Sequence, residues 1–190
     1  MDNQTLYDLK NSFLAEWPIS RIKKMSIEEY TNLNKTSFCY WLEQKTNALG
    51  GIRGGSSYKF GIYHMGEDST TKPHKNRDHD STYAWFKKYG NTGEEVFENI
   101  KKIIIKIATL SIENNIKPIE EIDLGDAYKW KIAFIYGDYN IINIFKEKAL
   151  KACAKHLNYK DSDWSYTALN KFIIEEKGDR DFYNFAKELW

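Results

Sequence analysis

The stretch "LGGIRGGSSYKFGIY", residues 49–63, places four glycines and two serines ahead of a short aromatic run that holds a fifth glycine. A backbone this free of side chains can cradle a phosphate, or it can simply turn a corner. A Walker A loop needs Gly-x-x-x-x-Gly-Lys-Ser/Thr, because its lysine must reach the β- and γ-phosphates. Gly50 and Gly55 have that separation, but Ser56 stands where the lysine is required. A dinucleotide fingerprint needs a strand before the glycines and a helix after them, and the order expected here is the reverse. The spacing therefore argues against a nucleotide loop. A structural turn and a ligand-contacting loop remain as the two readings.

Other reactive residue types are sparse. His64, His74 and His79, with Asp78, Asp80 and Cys39, form the one group of metal-ligand types, but their spacings match no standard zinc arrangement. They read as surface residues, and no metal or other cofactor is expected. A metal-dependent nuclease would need acidic residues followed by Glu/Asp-x-Lys. Glu43-Gln44-Lys45 and Glu175-Glu176-Lys177 fit that last element, yet both fall on expected helices, where such triplets mark solvated faces. No nucleophile elbow or triad is visible, so nothing in the chain demands catalysis.

Residues 50–90 are more informative. They hold Arg53, Lys59, Lys72, Lys75, Arg77, Lys87 and Lys88 against four acidic residues, with Tyr58, Phe60, Tyr63, Tyr83, Trp85, Phe86 and Tyr89 interleaved. Cations among aromatics are what phosphate contact combined with base stacking requires. The whole chain carries a formal charge of only +1, so any attraction for nucleic acid must come from such local segregation.

These residues need a scaffold, and the chain can build one. It has 190 residues, 42% hydrophobic and 29% charged, which suits one soluble domain with a real core. Aromatics reach 15%, a content that serves both cores and recognition surfaces. Cys39 and Cys153 form no C-x-x-C unit, and no secretory h-region opens the chain. No apolar run, Ile103-Ile104-Ile105 included, is nearly long enough to span a bilayer. A soluble, reduced, cytoplasmic protein is expected.

Periodicity predicts a helix over 4–16, ended by Trp17-Pro18, and a second from the Ser26/Glu29 capping box. A third is expected over 37–49, stopped by Gly50-Gly51. "YKFGIYHM" (58–65) alternates as a strand, and 66–82 reads as a polar surface loop or long hairpin tip. "YAWFKKYG" is expected to return as a strand or short helix. Thr92 and Glu95 open the strongest helix, to about Asn114, with Val96, Phe97, Ile100, Ile103, Ile104 and Ile107 on one stripe. "DAYKWKIAFIYGD" (126–138) alternates like a strand with one buried face, and "IINIF" like a paired strand or helix start. Helices over 146–157, 166–176 and 179–189 would close the chain. The expected class is α+β, several helices around a small, mostly antiparallel sheet.

Several segments together give a resemblance: "SIEEYTNLNKTSFCYWLEQKT", "LGGIRGGSSYKFGIY", "YAWFKKYGNTGEEVFENI", "EIDLGDAYKWKIAFIY" and "DFYNFAKELW". The chain resembles the N-terminal domains of McrB-like AAA+ proteins of bacterial restriction systems over most of residues 12–190. The resemblance implies a reader of double-stranded, including modified, DNA that is coupled to a downstream AAA+ motor and a McrC-like nuclease subunit. The chain carries no Walker motif, so an isolated, non-enzymatic recognition domain over 1–190, excised from a longer protein, is expected. For a modified or flipped base, Trp41, Tyr58, Tyr63 and Trp85 are then candidates for a stacking wall, with Trp41 holding a rival place in the core. Arg53, Lys59, Lys87 and Lys88 would hold phosphates, with Lys72, Lys75 and Arg77 beside them. The alternative from another class is a protein-interaction or assembly domain of the same kind of defence ATPase.

Overall fold

The computed structural model describes residues 2–66 and 74–189. Its first helix, α1 (Asn3–Glu16), starts where the Asp2 carboxylate accepts the Thr5 N–H at 2.7 Å, and it stops at Trp17 before Pro18. Two single-turn helices follow, α2 (Ile19–Ile22) and α3 (Ile27–Tyr30). The Ser26/Glu29 capping box that opens α3 is present in both of its hydrogen bonds. The helix expected over 37–49 is composite. It begins as α4 (Phe38–Tyr40), widens into a π-helical turn over Trp41–Lys45, and tightens into a 3₁₀ turn over Asn47–Leu49.

The strand expected from Tyr58 begins later. Residues Ser57–Phe60 form a 3₁₀ turn, and Gly61, at φ +81°, swings the chain into β1 (Ile62–His64). Here only glycine fits, since a Cβ would stand 2.5 Å from the Ile100 Cδ1. The polar segment after β1 contains a strand that the alternation did not reveal, β2 (Arg77–His79), and β3 (Tyr83–Phe86) returns as expected. The three form one antiparallel sheet in the order β1-β3-β2, pairing Ile62 with Trp85, Tyr63 with Ala84 and Arg77 with Phe86. Ile62 and Trp85 therefore share the inner face, and they pack where α5 (Gly93–Ile112) begins, both side chains lying close to Gly93. Helix α5 buries the stripe Val96, Phe97, Ile100, Ile104 and Ile107 as its spacing predicts.

The largest departure from the sequence reading is α6 (Asp126–Tyr136), a helix where a strand was expected. Every residue from Tyr128 to Tyr136 is buried, so no solvated face imposes a 3.6-residue pattern. Lys129 and Lys131, which looked like the wet side of a strand, lie inside. The Lys131 Nζ donates to the carbonyls of Thr46 at 3.0 Å and Gly50 at 2.8 Å, tying down the end of the 3₁₀ turn. Lys129 does the same for Glu120 and Ile122, at 2.8 and 3.1 Å. From α1, Lys10 reaches the Gly137 carbonyl at 2.7 Å and lies 3.7 Å from the centre of the Tyr139 ring.

"IINIF" is neither strand nor helix. Its backbone is satisfied by side chains of α8 (Tyr166–Lys177): Asn170 accepts from the Ile142 N–H, and Tyr166 donates to the Ile144 carbonyl. Helices α7 (Glu147–His156), α8 and α9 (Phe182–Glu188) close the chain much as expected, and Tyr166 stacks on Trp130 of α6 at 3.8 Å. The fold is α+β, with helices around a small antiparallel sheet. No helix among the described residues is long and apolar enough to cross a membrane.

Burial pulls the Lys131 ammonium down to about 7 and Lys10 to about 8, against 10.5 for a free lysine. The unfolded chain thus binds more protons than the folded one between those values and 10.5, and stability rises with pH there. We predict a rising melting temperature from pH 7 to about 9.5, each lysine contributing up to about 1.4 kcal/mol per pH unit. Lys131→Met should flatten that rise in a pH series of thermal melts, and an unchanged slope would show that Lys131 does not set it.

Candidate nucleic-acid interface

The outer face of the sheet gathers part of the expected site. Tyr63 on β1 and Phe86 on β3 point away from α5, as their register with Ala84 and Arg77 requires. Tyr58, delivered by the 3₁₀ turn, lies across them, its ring centre 5.0 Å from Tyr63 and 5.0 Å from Phe86. The Arg77 guanidinium sits 4.2 Å from the Tyr58 ring centre and 5.5 Å from that of Phe86. This is a cation stacked on an aromatic patch, with the Arg77 Nε buried and without a partner among the described residues. Burial, with Tyr58 alongside, raises the Tyr63 phenol, which stays neutral at physiological pH.

The cations divide into free and engaged. Lys75 is exposed. Arg53 is exposed as well, with one guanidinium nitrogen 3.4 Å from the Gln44 carbonyl. Lys87 pairs with Asp78 at 3.3 Å, and Lys88 with Asp123 at 2.5 Å. Burial opposes the charge on Lys88, but its hydrogen bond to Asp123 prevails and raises its pKa. The His79 N–H, and then Lys87, hold the Asp78 carboxyl below its usual range. Lys72 lies outside the described residues.

Lys59, expected at a phosphate, is engaged within the fold. Its ammonium is ion-paired with Glu43 and donates to the carbonyls of Ile52 at 2.9 Å and Gly54 at 3.0 Å. It straps the glycine stretch to the π-helical turn, as Lys131 fastens the start of that stretch from below. The stretch is thus held at Gly50, Ile52 and Gly54, while the space over Gly54 and Gly55 is open. The sequence left a turn and a ligand loop as alternatives; the geometry is a fastened turn with an open tip.

Two expected stacking residues are not part of the outer patch. Trp85 is 4% exposed and packs on the inner face. Trp41, half-buried, packs edge-on against Phe13, with the Lys45 ammonium 3.8 Å from its ring centre. Phe86 was missed as a site residue. The signal was strand alternation: once Ile62 and Trp85 face inward, the next residue must face out.

The histidine and acid group does not converge. Asp80 turns the β2–β3 hairpin by accepting the Thr82 and Tyr83 N–H groups, both at 2.7 Å. His64 bonds to the Met65 carbonyl, and Cys39 is buried near Tyr128, its thiol pushed up to about 12 by burial. No group of three or more metal-ligand types is found among the described residues.

Lys59→Met should cost about 1–3 kcal/mol in urea unfolding, because it orphans a half-buried Glu43 and two carbonyls. Arg53→Ala, in contrast, should stay within about 0.5 kcal/mol. Equal effects would mean that the strap carries no stability. No protein-family model, curated protein or solved structure matches this chain.

Proposed function

We propose that the outer sheet face contacts DNA and that the chain is a non-enzymatic, cytoplasmic reader module of a McrB-like restriction or defence system. Its partners in this reading are double-stranded DNA, modified cytosine included, a downstream AAA+ motor and a McrC-like nuclease subunit. The observation that carries the reading is the Arg77–Tyr58–Phe86 stack with Tyr63 on an outward face. An arginine already laid on an aromatic surface offers its N–H groups to a phosphate, while the half-buried Tyr63 and Phe86 rings offer area to a base or sugar and the buried Tyr58 backs them. Lys75 and Arg53 add exposed positive charge.

A specific observation favours the assembly-domain alternative. Lys59, Lys87 and Lys88 are already paired with Glu43, Asp78 and Asp123, which reduces the charge left for phosphates. Salt dependence separates the two readings, since counterion release belongs to phosphate contact and not to apolar docking.

Fluorescence anisotropy of labelled duplexes, unmodified and carrying modified cytosines, should show binding that falls log-linearly with salt. Arg77→Ala and Lys75→Ala should each lower that slope by about 1 while weakening all duplexes alike. Phe86→Ala or Tyr63→Ala should instead blunt discrimination between duplexes. Absence of binding even at low salt would overturn the reading.

A further inference from the structure

The open tip of the glycine stretch offers donors that the outer sheet face does not use. Residues 53–57 are all exposed, and among the described residues nothing stands within 4 Å of a Cβ built on Gly54 or Gly55. Their φ angles, +91° and +72°, are ones that side chains rarely adopt, so the backbone demands glycine and leaves its peptide groups bare. The N–H groups of Arg53, Gly54, Gly55 and Ser56 donate to no acceptor among the described residues. An anion can come close to such donors because no side chain stands between.

The charge around the tip favours the same ligand. Arg53 keeps only the long contact to the Gln44 carbonyl, and Lys45, exposed beside it, lies over the Trp41 ring. Glu43 is occupied by Lys59, whose ammonium also donates to the Gly54 carbonyl. Burial above all opposes the charge on Lys131; Glu43 favours it, and Arg53 and Lys59 oppose it. Arg53, Lys59 and Lys131 are therefore within electrostatic reach of one another, three cations to one carboxylate. The strap from Lys59 holds Ile52 and Gly54 in place, so little ordering remains to be done on binding. The tip also borders the outer face: Ser56 accepts the Tyr58 N–H at 3.3 Å, and the Tyr58 ring lies under Arg77.

We propose that the Gly54–Gly55 tip takes a backbone phosphate of the DNA through its own N–H groups, with the Arg53 guanidinium closing on the same phosphate. This contact rests on the DNA reading and extends it. It positions the duplex against the outer face and carries no base information.

The test is a nitrogen–proton NMR titration of the full 190-residue chain with a short DNA duplex and, separately, with inorganic phosphate. The duplex should shift the Gly54 and Gly55 amide signals together with those of Tyr63 and Phe86, all saturating at one concentration. Gly55→Asp should bind the duplex about tenfold more weakly than Gly55→Asn, since the two share shape and φ strain and differ by one charge beside the phosphate. Arg53→Ala should lower the salt slope of binding by about 1. Movement of the Tyr63 and Phe86 signals with the tip unmoved, or equal affinity of the Asp and Asn variants, would overturn this contact and leave the DNA reading in place. Signals that all stay put with the duplex would overturn the DNA reading and this contact with it. Tip shifts with inorganic phosphate but not with the duplex would overturn the assignment to DNA.

Discussion

Burying one helix on every side sets the terms for the rest of this molecule. From Tyr128 onward helix α6 has no wet face, and the chain segments ending against it lose the water that would otherwise satisfy their carbonyls. Lysine is a workable answer because its long apolar stem crosses the core while its ammonium donates at the far side. Lys131 serves Thr46 and Gly50, Lys129 serves Glu120 and Ile122, and Lys10 serves Gly137. Desolvating such ammonium groups is costly, which is why Lys131 and Lys10 hold their protons less tightly than free lysines do. A neutral amine keeps two N–H groups, so Lys131 can still serve both carbonyls after losing its charge.

The same arrangement explains which parts of the fold could be read from the chain. Helices with one dry face and one wet face left clear marks: the α5 stripe and the Ser26/Glu29 and Thr92/Glu95 caps lie where their spacing places them. Helix α6 was misread because Tyr128, Trp130, Ile132, Phe134 and Tyr136 alternate with two lysines, and lysine in a sequence signals water. In the fold these lysines signal carbonyls instead. Residues 141–145 were illegible for a related reason, since the partners of their backbone, Asn170 and Tyr166, come from a helix more than twenty residues away.

The candidate site was legible in composition and not in arrangement. The sequence located a region rich in cations and aromatics, and Tyr58, Tyr63 and Arg77 do meet there. It could not say which cations were already occupied, because the partners Glu43 and Asp123 lie 16 and 35 residues from Lys59 and Lys88. Nor could it choose between Trp85 and Phe86 before the sheet fixed which strand face turns inward. Charge counted along a chain overstates the charge a surface can offer.

The order β1-β3-β2 has a consequence for how such a surface can change. β1 and β2 both pair with β3 and not with each other. At both outer strands the ladder continues through β3, with Met65 giving its N–H to Thr82 and Asn76 accepting from Lys87. Arg77 enters the patch through β2, whose place is set by the tight hairpin at Asp80. β2 and its arginine are thus placed by β3 and this hairpin, not by β1. A change that spares the hairpin leaves Arg77 in register with Phe86, so the cation and its ring stay together as one unit.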